Sequence, residues 1–319
     1  MKEANTLIKF FPPKIKKKTL KLEKGFEFIN ELKKKGENVD IEYYATGLVS
    51  EILTLLFFEK YNAGCPLKFI EIFEKSKWSE EKFLKSLKRC LEIGEKTICV
   101  PIASKTHMNL LIIKVDTREI IRFEPHGEAT HRNVKDKIDI EYDTFCKNLT
   151  KNINEYFSLN SEGKRPFKFV PPMNICPKLP NFGNVYKRGF QSMENITGKL
   201  KIGVCQLWSM FFMECVLRNP DMDIKDVYKE AYDKMKDEPS FFLSVIKGYF
   251  VQVNELLNDI GFFQKSIKAS ELKIIHWSTF YDKYFRYLKK INEENEKKPK
   301  IPFTGEGFKP PKIYIRKRT

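Results

Sequence analysis

The chain reads as an α+β protein. Three features carry that expectation: amphipathic helical segments before any strand, a strand–turn–strand unit in the middle, and a return to helices afterwards. At 319 residues it can hold one large domain or two modest ones with ample core. The 13% aromatic content, with 27 Phe, argues for a folded chain.

Residues 1–25 carry Phe10-Phe11-Pro12-Pro13 and then Lys14-Ile15-Lys16-Lys17-Lys18. This is an extended basic arm, suited to nucleic acid or nuclear targeting and equally to plain solvation. A helical N-terminal region, 26–92, follows, with segments at about 26–35, 40–61, 66–75 and 79–92. Strand character begins at 97–102. Two further β-rich runs, 108–115 and 120–123, flank a polar turn at 116–119 and so form an antiparallel hairpin. Residues 137–157 are helical again.

From 160 to 200, Pro and Gly recur too often for regular structure, and the segment reads as a long binding loop. Helices are then expected at 205–217, 222–237 and 239–260, the last stopped by Gly261. One more lies at about 278–295, before a basic, Pro-containing tail at 296–319. The sheet and the helices after it, 93–295, form the domain in which chemistry is to be sought.

The formal net charge of +16 and a pI near 9.3 fit an acidic partner such as DNA, and fit a soluble Lys-rich surface as well. Seven cysteines form no C-x-x-C pair, and the start of the chain lacks a secretory apolar region. No run approaches a membrane span. An intracellular protein with reduced thiols is therefore expected. No cofactor and no metal site is expected either, since His126 and His131 have no partner at zinc spacing.

The run 205–217 contains only three polar residues, Gln206, Ser209 and Glu214. Trp208, Phe211, Phe212 and Cys215 share one helical face, and apolar residues spill onto the others, so the helix is buried on most sides. Cys205 opens it, where unpaired N–H groups and the helix dipole favour a thiolate. A buried structural cysteine is the competing reading.

A cysteine nucleophile needs a base in reach and a third group to orient that base. Counting outward from the turn at 116–119 brings His107 and Glu124 together at the open end of the hairpin. A carboxylate beside an imidazole fixes its tautomer and stabilises its cation. Backbone N–H groups near Cys205 are oxyanion candidates, with the Gln191 or Gln206 side chain as a second donor.

These residues resemble the ubiquitin-like (SUMO) protease and adenovirus protease clan of cysteine proteases. Thr97-Ile98-Cys99-Val100-Pro101-Ile102 before His107 is similar to the strand that leads to the clan's histidine. Phe123-Glu124-Pro125-His126-Gly127 resembles the acid's surroundings in the adenovirus enzyme, and the order His, Glu, Cys matches. The similarity covers roughly 90–220 and extends to cysteine proteases of large DNA viruses.

The resemblance implies a papain-like permuted fold, with a central mixed sheet flanked by helices. His107 is then the general base, Glu124 the orienting acid and Cys205 the nucleophile. It also implies a protein substrate, either a viral structural precursor or a ubiquitin-like conjugate, and a place in the virion or host cytoplasm. The clan's oxyanion glutamine usually stands six or seven residues before the cysteine, where this chain has Gly198 and Lys199. Gln191 across a lengthened loop is the expectation, with Gln206 as the alternative. Met108 replaces the frequent Trp after the histidine, and Val204-Cys205-Gln206 replaces the usual Asp-Cys-Gly. An acetyltransferase on the same scaffold stays open, as does an inactive scaffold binding DNA through Lys16, Lys17 and Lys18.

Overall fold

In the computed structural model, residues 25–39, 79–104, 107–127, 137–176, 189–200, 204–236 and 238–259 are described continuously. Scattered positions between 50 and 72 and between 286 and 303 are described as well. The basic arm with Lys16, Lys17 and Lys18 lies outside the described residues, as does most of the expected helix at 278–295.

The described elements run α1 (Phe28–Gly36), β1 (Ile70–Glu71), α2 (Glu80–Glu92), β2 (Thr97–Ala103), β3 (Met108–Lys114), β4 (Glu119–Phe123) and α3 (Lys137–Tyr156). They continue β5 (Lys168–Val170), α4 (Pro172–Ile175), α5 (Phe190–Asn195), α6 (Cys205–Arg218), α7 (Ile224–Lys234) and α8 (Pro239–Asp259). The strands form one mixed sheet in the order β1-β2-β3-β4-β5, parallel at both outer pairs and antiparallel at the two inner ones. The chain is thus α+β.

Period-two alternation splits the sheet's side chains between two cores. Cys99, Met108, Leu110, Ile112, Ile121 and Phe123 join the cluster around α6. Ile98, Val100, Ile102, Leu111, Ile113 and Ile120 join the cluster under α2 and α3. Helices therefore cover both faces, which is why every residue of β2 and β3 is buried.

Two local expectations are corrected. Ile70 and Glu71, inside the segment expected to be helical at 66–75, pair as a strand with Ile102 and Ala103. A short apolar run does not by itself distinguish a strand from a helix turn. The stretch 160–200 is not uniformly irregular either: it holds β5, α4 and α5, of three, four and six residues. Elements that short leave no periodic signature.

A third correction concerns redox state. Cys90 is disulfide-bonded, whereas Cys99, Cys146, Cys176, Cys205 and Cys215 are free, so the thiols are not all reduced. Among the described residues no helix is long and apolar enough to cross a membrane.

The position of α6 follows from two polar pins. At one end the Ser209 hydroxyl donates to the Met108 carbonyl (3.3 Å), and at the other the Lys114 ammonium donates to the Pro220 carbonyl (2.7 Å). The helix therefore runs in the same direction as β3. Seven strand residues and fourteen helical ones also span similar lengths, about 23 and about 21 Å. This sets the first residue of α6 beside the residue that precedes β3.

Candidate active site

His107 immediately precedes β3, and Glu124 immediately follows β4. The hairpin register pairs Leu110 with Phe123 and Leu111 with Arg122. Continued outward, it sets Asn109 against Glu124 and His107 against His126. The carboxylate thus reaches His107 along the diagonal, a span that long side chains cover. Both of its oxygens approach His107 Nε2, at 2.8 and 2.9 Å. The imidazole rings of His107 and His126 stack at 5.5 Å.

The Nε2–carboxylate contact leaves Nδ1 as the ring nitrogen for Cys205. Cys205 lies close enough to the His107 ring to raise its proton affinity. His107 is 16% exposed, Cys205 9% and Glu124 1%, so the sulfur and the ring touch solvent while the acid does not. The fold thus brings His107, Glu124 and Cys205 together.

Electrostatics run in one direction across the pair. Burial works to lower the proton affinity of His107, but the Glu124 charge, the neighbouring Cys205 and the ring's hydrogen bond to the carboxylate outweigh it. The net shift is well above the ordinary histidine range. Burial likewise works to raise Glu124, but the charge and hydrogen bond of His107, with the charges of Arg122 and His126, bring it down to about 2. Imidazolium and carboxylate therefore stabilise each other as an ion pair.

The start of α6 carries no side-chain cap: Val204 stands at the N-cap position and supplies none. The first helical bond runs from the Trp208 N–H to the Val204 carbonyl at 3.0 Å. The N–H groups of the turn before it point out of the helix at Cys205, where they can meet a sulfur anion or an oxyanion.

Gln191 is the second residue of α5, which is held against the loop that follows Glu124. The Gln191 N–H donates to the Pro125 carbonyl (2.9 Å), the Gly189 N–H to the His126 carbonyl (2.8 Å), and the Ser192 hydroxyl to the same His126 carbonyl (2.6 Å). A Cβ at position 189 would lie 2.2 Å from the Pro125 oxygen, so only glycine permits this approach. Phe190 anchors the segment by stacking on Tyr228 at 4.7 Å and Trp208 at 5.3 Å. The Gln191 side chain is buried, and its Oε1 has no hydrogen-bond partner among the described residues. Gln206 is engaged elsewhere, because its amide donates to the Ser50 hydroxyl.

Sequence reasoning missed the polar residues around the hairpin's open end. The Tyr142 hydroxyl on α3 donates to the His107 carbonyl at 2.8 Å. Arg122 lies two residues before Glu124 on the same strand face, among Glu124, Asn109 and Asp143. A single cation inside the apolar run Ile120-Ile121-Arg122-Phe123 is the signal that could have flagged it. Among the described residues no group of three or more His, Cys, Asp or Glu side chains is placed to hold a metal ion.

No family model matches this chain. An ankyrin repeat protein of Acanthamoeba polyphaga mimivirus is 22% identical over 165 residues, which is 50% of this chain and 20% of that protein. The chain thus spans about a fifth of the length of the curated relative it matches. Among solved structures, a de-sumoylating protease aligns over 79% of this chain and 85% of its own, with 16% identity and a TM-score of 0.33.

Proposed function

We propose that this protein is a cysteine peptidase or isopeptidase on a papain-like scaffold permuted so that the base and acid precede the nucleophile. The observation that carries the reading is the arrangement at His107. One ring nitrogen is held by both oxygens of Glu124, and the other is left to Cys205 at an uncapped helix start. In this reading, substrates are proteins with an extended segment that reaches the cleft, either structural precursors or ubiquitin-like conjugates.

The reaction divides into two half-steps. The Cys205 sulfur attacks the scissile carbonyl carbon, and the negative charge moves to the carbonyl oxygen. N–H groups at the start of α6 and the Gln191 amide serve that oxyanion, where one donor is worth about 10²–10³ in rate. The carbon–nitrogen bond then breaks, the His107 proton goes to the departing amine, and a thioester remains. Water attacks the thioester as His107 takes its proton, the carbon–sulfur bond breaks, and the acid leaves with Cys205 restored. Glu124 holds the ring orientation throughout and stays ionised.

An electrophilic probe built on a ubiquitin-like C-terminus or a short peptide tests this. Labelling is expected on the wild type, lost in Cys205→Ala, retained in Cys215→Ala and slowed in His107→Ala. Cys215 is buried within α6 and its proton affinity is raised by that burial, so it should not react. Labelling that persists in Cys205→Ala, or that proceeds at full rate in His107→Ala, would overturn the assignment.

A further inference from the structure

We propose that Arg122 is a positioning residue for Glu124. Its guanidinium bridges the acid to Asn109 on β3 and Asp143 on α3, and so fixes the carboxylate with both oxygens turned to His107. This rests on the reading of His107, Glu124 and Cys205 given above.

Three contacts make the bridge. Arg122 Nη1 donates to Asn109 Oδ1 at 2.7 Å and to Glu124 Oε2 at 3.4 Å, and Nε donates to Asp143 Oδ1 at 3.0 Å. The guanidinium carbon also lies 5.7 Å from the centre of the Tyr142 ring, and Tyr142 itself donates to the His107 carbonyl. One buried cation therefore touches the acid, the strand that follows the base, and the helix that holds the base's backbone.

The two oxygens of Glu124 are held differently. Oε1 accepts from the His126 backbone N–H at 3.0 Å, a contact the chain itself provides. Among the described residues Oε2 has no backbone donor of that kind; beyond His107, its contact is with Arg122. At 3.4 Å that contact is longer than the 2.9 Å from Oε2 to His107, so Arg122 steers the oxygen without taking it from the ring. Without Arg122, the carboxylate is free to turn about its last bond and present one oxygen to the imidazole in place of two.

Asp143 completes the set. A guanidinium this deeply buried is costly unless its charge is balanced, and His107, Glu124, Arg122 and Asp143 together carry two positive and two negative charges. The Asp143 side chain is 32% exposed, so it can be changed with little disturbance to the core.

The test is a double-mutant cycle on the full chain, read by the rate of Cys205 modification with the same electrophilic probe. Arg122→Met and Asp143→Asn are combined with Glu124→Gln, and the maximal inactivation rate is separated from the probe concentration that gives half of it. Arg122→Met is expected to lower the maximal rate about tenfold at unchanged half-saturation, and Asp143→Asn to lower it less. In the Glu124→Gln background each should change the rate by less than about twofold, because their effect passes through the acid.

A purely structural ion pair would multiply with Glu124→Gln. Multiplicative losses, a changed half-saturation with an unchanged maximal rate, or wild-type rates in both variants would overturn the proposal. If Arg122→Met does not fold, Asp143→Asn carries the same cycle. Failure of the wild type to react at Cys205 would overturn the underlying reading, and this one with it.

Discussion

Glu194 lies one turn beyond Gln191 on α5, fully buried, and among the described residues neither carboxylate oxygen makes a hydrogen bond of ordinary geometry. Burial lifts it out of the usual carboxylate range to about 7, and the nearby Trp208 indole pulls back only slightly. A carboxyl with a raised folded pKa favours the folded state fully below its unfolded value. That contribution is lost as pH rises from about 4.3 through 7. Glu194→Gln, neutral at every pH, should leave stability near pH 4 almost unchanged and raise it by on the order of 3 kcal/mol at pH 8. Urea midpoints at the two pH values measure this, and parallel pH profiles for wild type and variant would refute it. The signs differ for the His107–Glu124 pair: the lowered Glu124 contributes above about pH 4.3, and the raised His107 contributes fully only below about pH 6.5.

At the scale of elements, α1 and α8 meet with almost nothing between them. A Cβ on Gly248 would lie 1.8 Å from the Leu32 carbonyl oxygen, and one on Gly36 would lie 1.9 Å from that of Ser244. Gly248→Ala gains about 1 kcal/mol of helix propensity, which is less than the overpacking cost of about 1–3 kcal/mol for forcing backbone apart. Thermal unfolding should therefore show Gly248→Ala to be destabilised, against the usual direction for glycine in a helix; a higher Tm would contradict the crossing. Nothing in the sequence around Gly36 or Gly248 announces this contact, because the two glycines are over two hundred residues apart. The hairpin was legible for the opposite reason. Its turn is four residues long, so counting outward was enough to bring His107 near Glu124, and the apolar run 205–217 marked α6 by itself. Arg122, Tyr142 and Asp143 stayed hidden because their meeting depends on where α3 packs, which no local period encodes.

For the molecule as a whole, the first described helix belongs to the same core as the site. Phe28, Ile29 and Leu32 of α1 are buried in the cluster that holds α6, and Phe28 lies 5.9 Å from Phe211. Arg218, on the last turn of α6, covers the Phe28 ring at 4.1 Å and donates to Glu214, which also accepts from Tyr61 and Gln252. Removing residues 1–39 withdraws Phe26 as well as Phe28, Ile29 and Leu32, four large buried apolar side chains among the described residues, a loss on the order of 6–12 kcal/mol. Against a typical stability of about 5–15 kcal/mol, that is enough to compromise the fold. The shortened chain should show a broad or absent melting transition and no Cys205 labelling; a truncated protein that melts and labels like the full chain would separate α1 from the site.

The ion pair between Lys35 on α1 and Glu255 on α8, at 2.8 Å, bridges 220 positions in the chain. During synthesis the segment carrying Cys205 emerges well before α8, and at about 5–20 residues per second the interval lasts seconds. Until α8 arrives, α1 has no seat, the far end of α6 has no Gln252, and the core behind Cys205 is incomplete. The order of emergence from the ribosome thus delays completion of this core until nearly all of the described chain has been made.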